Sequence, residues 1–160
     1  MSGIDFEGLW ASVAARFPGP RGSVHGPDHW RRVERNGLLL AGRSRADVVV
    51  VRLFALFHDC RRVNDGWDHG HGARGAAFAT TLRGAAFALD DARFALFEEA
   101  CVDHTAGRRH GDPTIGTCWD ADRLDLGRVG IVPAPDYMST AFAREIASGG
   151  ELERRLGRED

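Results

Sequence analysis

The stretch from Val48 to Phe57 constrains this chain more than any other: it is apolar throughout except for Arg52. It is far short of the ~20 residues that a membrane span requires, so it belongs inside a folded protein. Its four consecutive valines would suit a buried strand. Its length as far as Asp59, and the preceding Ser44-Arg45-Ala46-Asp47, which reads as an N-cap and first turn, favour a helix buried on all sides. Such a helix needs neighbours on every face, and the rest of the chain supplies them.

Apolar residues fall on one stripe from Ile4 to Phe17, where Phe17-Pro18-Gly19-Pro20 breaks the pattern. A second helix is expected from Pro27-Asp28 to about Ala41, with proline suited to its first turn. Arg61 to Gly72 is polar and glycine-rich and reads as a loop, followed by an Ala-rich helix from Ala73 to Leu82. Further helices are expected over Ala92 to Val102, from Pro113 to Leu124 and over Ala141 to Ile146. No segment alternates with period two and none repeats. The expectation is one all-α domain, a helical bundle spanning 1–150, with a charged tail at 151–160.

At 160 residues the chain is about one domain, large enough to bury roughly 70% of its unfolded surface without disulfide or metal staples. A net charge of −2 gives no electrostatic reason to expect nucleic acid. Every basic residue is arginine, and the absence of lysine excludes Schiff-base chemistry and a Walker-type phosphate loop. Cys60, Cys101 and Cys118 form no CxxC pair, which argues for a reducing compartment, against a thiolate zinc site and for buried thiols. The first residues lack a basic stretch followed by an apolar one, so a cytoplasmic location without membrane association is expected.

All seven histidines lie between His25 and His110, several in Asp- and Gly-rich stretches such as His25-Gly-Pro-Asp-His29 and His69-Gly-His71-Gly. A lone histidine is most often a capped or surface residue. The adjacent His58-Asp59 changes that weighting, because it sits at the polar end of the most apolar helix. An aspartate buried there unpaired would be costly, and a bound cation supplies the opposite charge. Imidazole and carboxylate together suit Mn, Fe, Co, Ni or Zn, with Mg less at home. His29 lies one turn into the preceding helix and Asp122 in the helix opened by Pro113. Four ligands from three helices can thus meet inside a bundle.

The ordered set His29-Trp-Arg-Arg32-Val33, Ala55-Leu-Phe-His58-Asp59 and Ala121-Asp122-Arg123-Leu124-Asp125 resembles the HD-domain superfamily of metal-dependent phosphohydrolases. The resemblance runs from His25 to about Ile131. It implies an all-α bundle holding one divalent metal ion, or two, through His29, His58, Asp59 and a late aspartate. Asp120 and Asp122 compete for that last place. The Ala-Asp-Arg-Leu context favours Asp122 and leaves Asp120 a supporting or surface role. On an octahedral ion four protein ligands leave room for water and a phosphate oxygen. Arg32, Arg62 and Arg123 stand near proposed ligands as candidate phosphate partners, Arg123 foremost.

The chain departs from the family at Arg62, where several branches carry a glutamate for proton transfer. Another group must then act, and the candidates are His71, then His104, with Asp65 in the same glycine-rich loop. His25 is expected to orient, His110 to lie on the surface, and His69 has no assigned role. The leading expectation is a hydrolase of a small soluble phosphoester, nucleotides included. A second is an HD-fold di-iron oxygenase using His29, His58, Asp59, His71, His104 and Asp122, although the spacing from Asp59 to His71 looks short for that branch. A third is a non-catalytic module that binds metal or a nucleotide.

Overall fold

The computed structural model describes residues 3–149. Seven α-helices follow in order: α1 (Phe6–Ala14), α2 (Pro27–Ser44), α3 (Val48–Phe57), α4 (His71–Leu82), α5 (Asp91–Asp103), α6 (Pro113–Arg123) and α7 (Ala141–Ser148). Two 3₁₀ turns, Leu126–Val129 and Pro135–Tyr137, lie between α6 and α7. Among the described residues there is no strand, only an isolated bridge between Arg83 and Phe87, and the fold is all-α. The charged tail expected at 151–160 lies outside the described residues. None of the described helices is long and apolar enough to cross a membrane.

The apolar run forms α3, and it is the axis of the bundle: α1, α2, α4, α5 and α6 all pack on it. Asp47 starts the helix, its Oδ1 accepting from the backbone N–H of Val49 at 3.0 Å and of Val50 at 3.2 Å. A helix satisfies its own backbone groups, so the valines can be enclosed without the partner strand a β conformation would need. The residues from Leu53 to Phe57 are fully enclosed. Ser44, expected to open α3, instead belongs to α2, which runs past Ala41 and is closed by Arg45 in the left-handed conformation, φ 62°. Cys60, Cys101 and Cys118 are buried free thiols.

The glycine-rich stretch also departs from expectation, because α4 begins at His71 rather than Ala73. Two glycines explain its placement. A Cβ on Gly72 would stand 2.0 Å from the carbonyl oxygen of Cys101 on α5, and one on Gly75 would stand 2.1 Å from that of Phe57 on α3. Only glycine permits this approach, which sets the start of α4 against the C-terminal ends of α3 and α5.

Candidate metal centre

Those three helix ends each deliver a histidine. His58 and His104 are the residues that follow α3 and α5, and His71 opens α4. Each ring turns its Nδ1 to a nearby backbone oxygen. His58 Nδ1 lies 3.0 Å from Phe54 O and 3.1 Å from Ala55 O, His104 Nδ1 lies 2.7 Å from Cys101 O, and His71 Nδ1 lies 2.7 Å from Asp68 O. The fourth ring, His29 on α2, places Nδ1 2.7 Å from Asp125 Oδ2. A carbonyl oxygen only accepts, so these rings donate through Nδ1, leaving Nε2 as the free lone pair.

The four Nε2 atoms point at one another and at two carboxylates. His29 and His58 Nε2 are 3.2 Å apart. Asp122 Oδ1 lies 3.2 Å from the first and 3.6 Å from the second, and Asp59 Oδ2 lies 3.5 Å from each. The other oxygen of Asp59 faces the second pair: Oδ1 is 3.2 Å from His71 Nε2 and 3.5 Å from His104 Nε2, which are themselves 3.0 Å apart. Donors bound at about 2.0–2.2 Å to a common ion sit about 3.0–3.5 Å from one another, the spacing found here.

Three features fit this pocket to cations. Lone pairs at Nε2···Nε2 contact repel unless something positive lies between them. Asp122 Oδ1 is buried and has no hydrogen-bond partner. Both carboxylates are held ionised. Burial works against the Asp59 anion, yet His58, His104, His25 and His29 keep its carboxyl well below the ordinary range. For Asp122 burial is likewise outweighed, by His29 and His58. Without a cation, a proton takes its place: burial would lower the pKa of His29, but Asp122, Asp125 and Asp59 raise it to about 10. These buried and half-buried histidines and aspartates could hold a metal ion in three overlapping groups, His29-His58-Asp122, Asp59-His71-His104 and His25-His29-Asp59.

A cavity of about 400 Å³ opens beside these groups. Arg62, Arg123 and Arg128 line it, and Leu126, Ile131 and Val132 from the segment after α6 form an apolar wall. The structure thus brings His29, His58, Asp59, Asp122, His71 and His104 together. His71 is not the loosely packed loop residue the sequence suggests, since it opens α4 and is buried. His25 lies at the edge, its Nδ1 3.2 Å from Asp59 Oδ2. Asp65 does not join them: it is exposed, does not line the cavity and accepts from Ser23 Oγ. His69 is exposed and accepts from Trp67, and His110 contacts Glu99 at 3.1 Å and does not line the cavity.

Asp120 takes no part in the cluster. It is fully buried rather than on the surface, accepting the backbone N–H of Ser139 at 2.7 Å and of Thr140 at 2.8 Å, which fixes the entry to α7. Burial raises its pKa against those two bonds.

The candidate phosphate arginines separate clearly. Arg32 turns away from the cavity and donates to Asp125 Oδ1 at 2.9 Å. Arg123 spends its donors on the carbonyls of Gly107, Arg108 and Tyr137, and so clamps the chain around α6 instead of presenting a free fork. Arg62 is buried on the cavity wall. Sequence reasoning missed Asp125 as the partner of His29, although it stands three residues after Asp122, about one helical turn. It also missed Arg128, whose Nη2 lies 3.8 Å from Asp122 Oδ1 and for which the sequence holds no signal.

No family model, curated protein or solved structure matches the chain.

Proposed function

We propose that the chain is a divalent-metal-dependent phosphohydrolase of the HD-domain type acting on a small phosphoester. The observation that carries the reading is Asp59, whose Oδ2 faces His29 and His58 while Oδ1 faces His71 and His104. A carboxylate shared in this way suits two neighbouring cations, the arrangement that two-metal phosphoryl-transfer sites use. His29, His58 and Asp122 would hold one ion, His71 and His104 the other, and Asp59 both. Bound there, divalent cations supply Lewis-acid stabilisation of charge on a phosphoryl group and a water of lowered pKa.

The chain's own residues supply the rest. Asp125 and the backbone carbonyls at each Nδ1 lock the rings so that every Nε2 is preorganised. Asp59 and Asp122 together carry two negative charges, fewer than two divalent ions bring, and Arg128 adds positive charge on the wall. The surplus attracts an anion such as a phosphoester. The cavity volume suits a small molecule. With Arg62 in the family's glutamate position, and the Nε2 atoms of His71 and His104 assigned to a metal ion, His25, which turns Nδ1 to Asp59, is the cavity imidazole whose Nε2 is left to hold a proton for the leaving group.

The test is phosphate release from a panel of phosphoesters by the chain loaded in turn with Mn, Fe, Co, Ni, Zn or Mg. Turnover abolished by a chelator and restored by metal is expected. Full metal occupancy without turnover on any ester would overturn the hydrolase reading in favour of a binding module. The same ligand set supports a second reading, a di-iron oxygenase, because Gly72 brings His71 within 3.2 Å of Asp59 despite the short spacing in sequence. Iron at two atoms per chain with visible absorbance, and oxygen uptake without phosphate release, would select it.

A further inference from the structure

Arg62 is buried, 7% exposed, yet its charge has no carboxylate partner among the described residues. Its Nε is buried with no hydrogen-bond partner at all. Its Nη2 makes one long contact, 3.3 Å to Gly66 O. Its Nη1 stands 3.4 Å from His71 Nδ1, a nitrogen that already donates to Asp68 O and cannot accept. Of the acids on its loop, Asp68 is occupied by Arg74 at 2.6 Å and the Val63 N–H at 2.9 Å, and Asp65 accepts from Ser23 Oγ. A guanidinium enclosed this way without a counter-charge is costly, and Arg123, saturated by carbonyls, shows how the same fold satisfies such a group where no ligand is needed.

Arg62 also stands at a divide. A second cavity of about 360 Å³ shares Arg62, His71 and Thr105 with the first and extends along the loop from Gly66 to Gly70. An anion held by Arg62 would lie beside His71, one of the residues proposed to hold metal, and would have room to continue away from it. We propose that Arg62 anchors a second anionic group of the substrate, adjacent to the phosphoryl group at the metal centre and directed into this neighbouring cavity. The substrate class is then an organic phosphate with two neighbouring anionic groups, of the diphosphate type, and not a simple monoester with a neutral leaving group. This rests on the phosphohydrolase reading and deepens it.

The test compares inorganic phosphate with methylenediphosphonate, a diphosphate that cannot be hydrolysed, by calorimetric titration of the metal-loaded chain. Arg62→Gln is expected to weaken methylenediphosphonate about tenfold or more while metal content and phosphate affinity hold. Arg62→Lys, which keeps the charge and loses the fork, is expected to fall between. In the unmodified chain the NMR signal of the Arg62 Nε–H is expected to shift on adding methylenediphosphonate, a readout independent of turnover and of whether the glutamine variant folds. A variant that weakens both probes alike, or neither, or an unmoved Nε–H signal, overturns the proposal while the hydrolase reading stands. Failure of the unmodified, metal-loaded chain to bind either probe overturns both.

Discussion

Replacing Asp125 by asparagine isolates the contribution of one buried carboxylate to the proposed metal centre. Asp125 is 2% exposed, and its Oδ2 accepts the His29 Nδ1–H at 2.7 Å while Arg32 Nε donates to both its oxygens, at 2.9 and 3.0 Å. Asparagine keeps the shape and removes the charge. If its amide oxygen faces His29, the ring keeps its tautomer but loses a charged acceptor. If its NH₂ faces His29, Nδ1 must accept, the proton moves to Nε2, and the ligand is closed. Changes to such supporting partners cost about 10–100-fold in metal affinity, or about 1.4–2.7 kcal/mol. The assay is competition for Co or Zn against a chromophoric chelator, with circular dichroism to confirm that both proteins are folded. A dissociation constant within twofold of the unmodified chain would refute the claim that Asp125 presents His29 to a metal.

His71→Ala is expected to remove the second metal and spare the first, read as metal per chain by elemental analysis; loss of both ions, or of neither, would contradict the division of ligands around Asp59. Gly72→Ala should do the same without replacing a ligand, because its methyl group would meet Cys101 O and the His104 ring and displace α4. Asp47→Asn should lower the melting temperature at neutral pH, since asparagine can still cap α3 but loses the charge that pairs with Arg93 at 2.6 Å and faces the helix N-terminus, a loss of up to about 1 kcal/mol. The hydrogen bond from Arg93 and those from Val50 and Val49 lower the Asp47 pKa against the effect of burial. Its contribution is therefore complete above the unfolded value of about 3.9 and fades as pH falls through the lower folded one. A deficit in the variant that persisted undiminished well below that range would exclude the charge as its cause.

The axis of the fold and the heart of the site were both legible in the sequence because each depends on neighbouring residues. The Val48 to Phe57 run carries its own burial requirement and its own cap in Asp47, and His58-Asp59 follows directly. What the sequence hid depends on contacts across the chain. The glycines at 70 and 72 read as a loop, yet Gly72 is there to admit the carbonyl of Cys101, and that approach makes His71 a partner of His104. Arg123 sits beside Asp122 in sequence and looked like the best phosphate ligand, but carbonyls from Gly107 to Tyr137 claim its donors. Asp125 reaches back to His29 and Arg128 to Val24 O, across most of the chain. The one-turn spacing from Asp122 hints at the role of Asp125, but only the folded chain makes that of Arg128 visible.

The most direct test of the central claim is a crystal structure of the manganese-loaded chain with anomalous scattering recorded at the manganese edge. Two anomalous peaks, one against each oxygen of Asp59, with the first enclosed by His29, His58 and Asp122 and the second by His71 and His104, are the predicted result. No peak, or a single peak that does not touch Asp59, would contradict it.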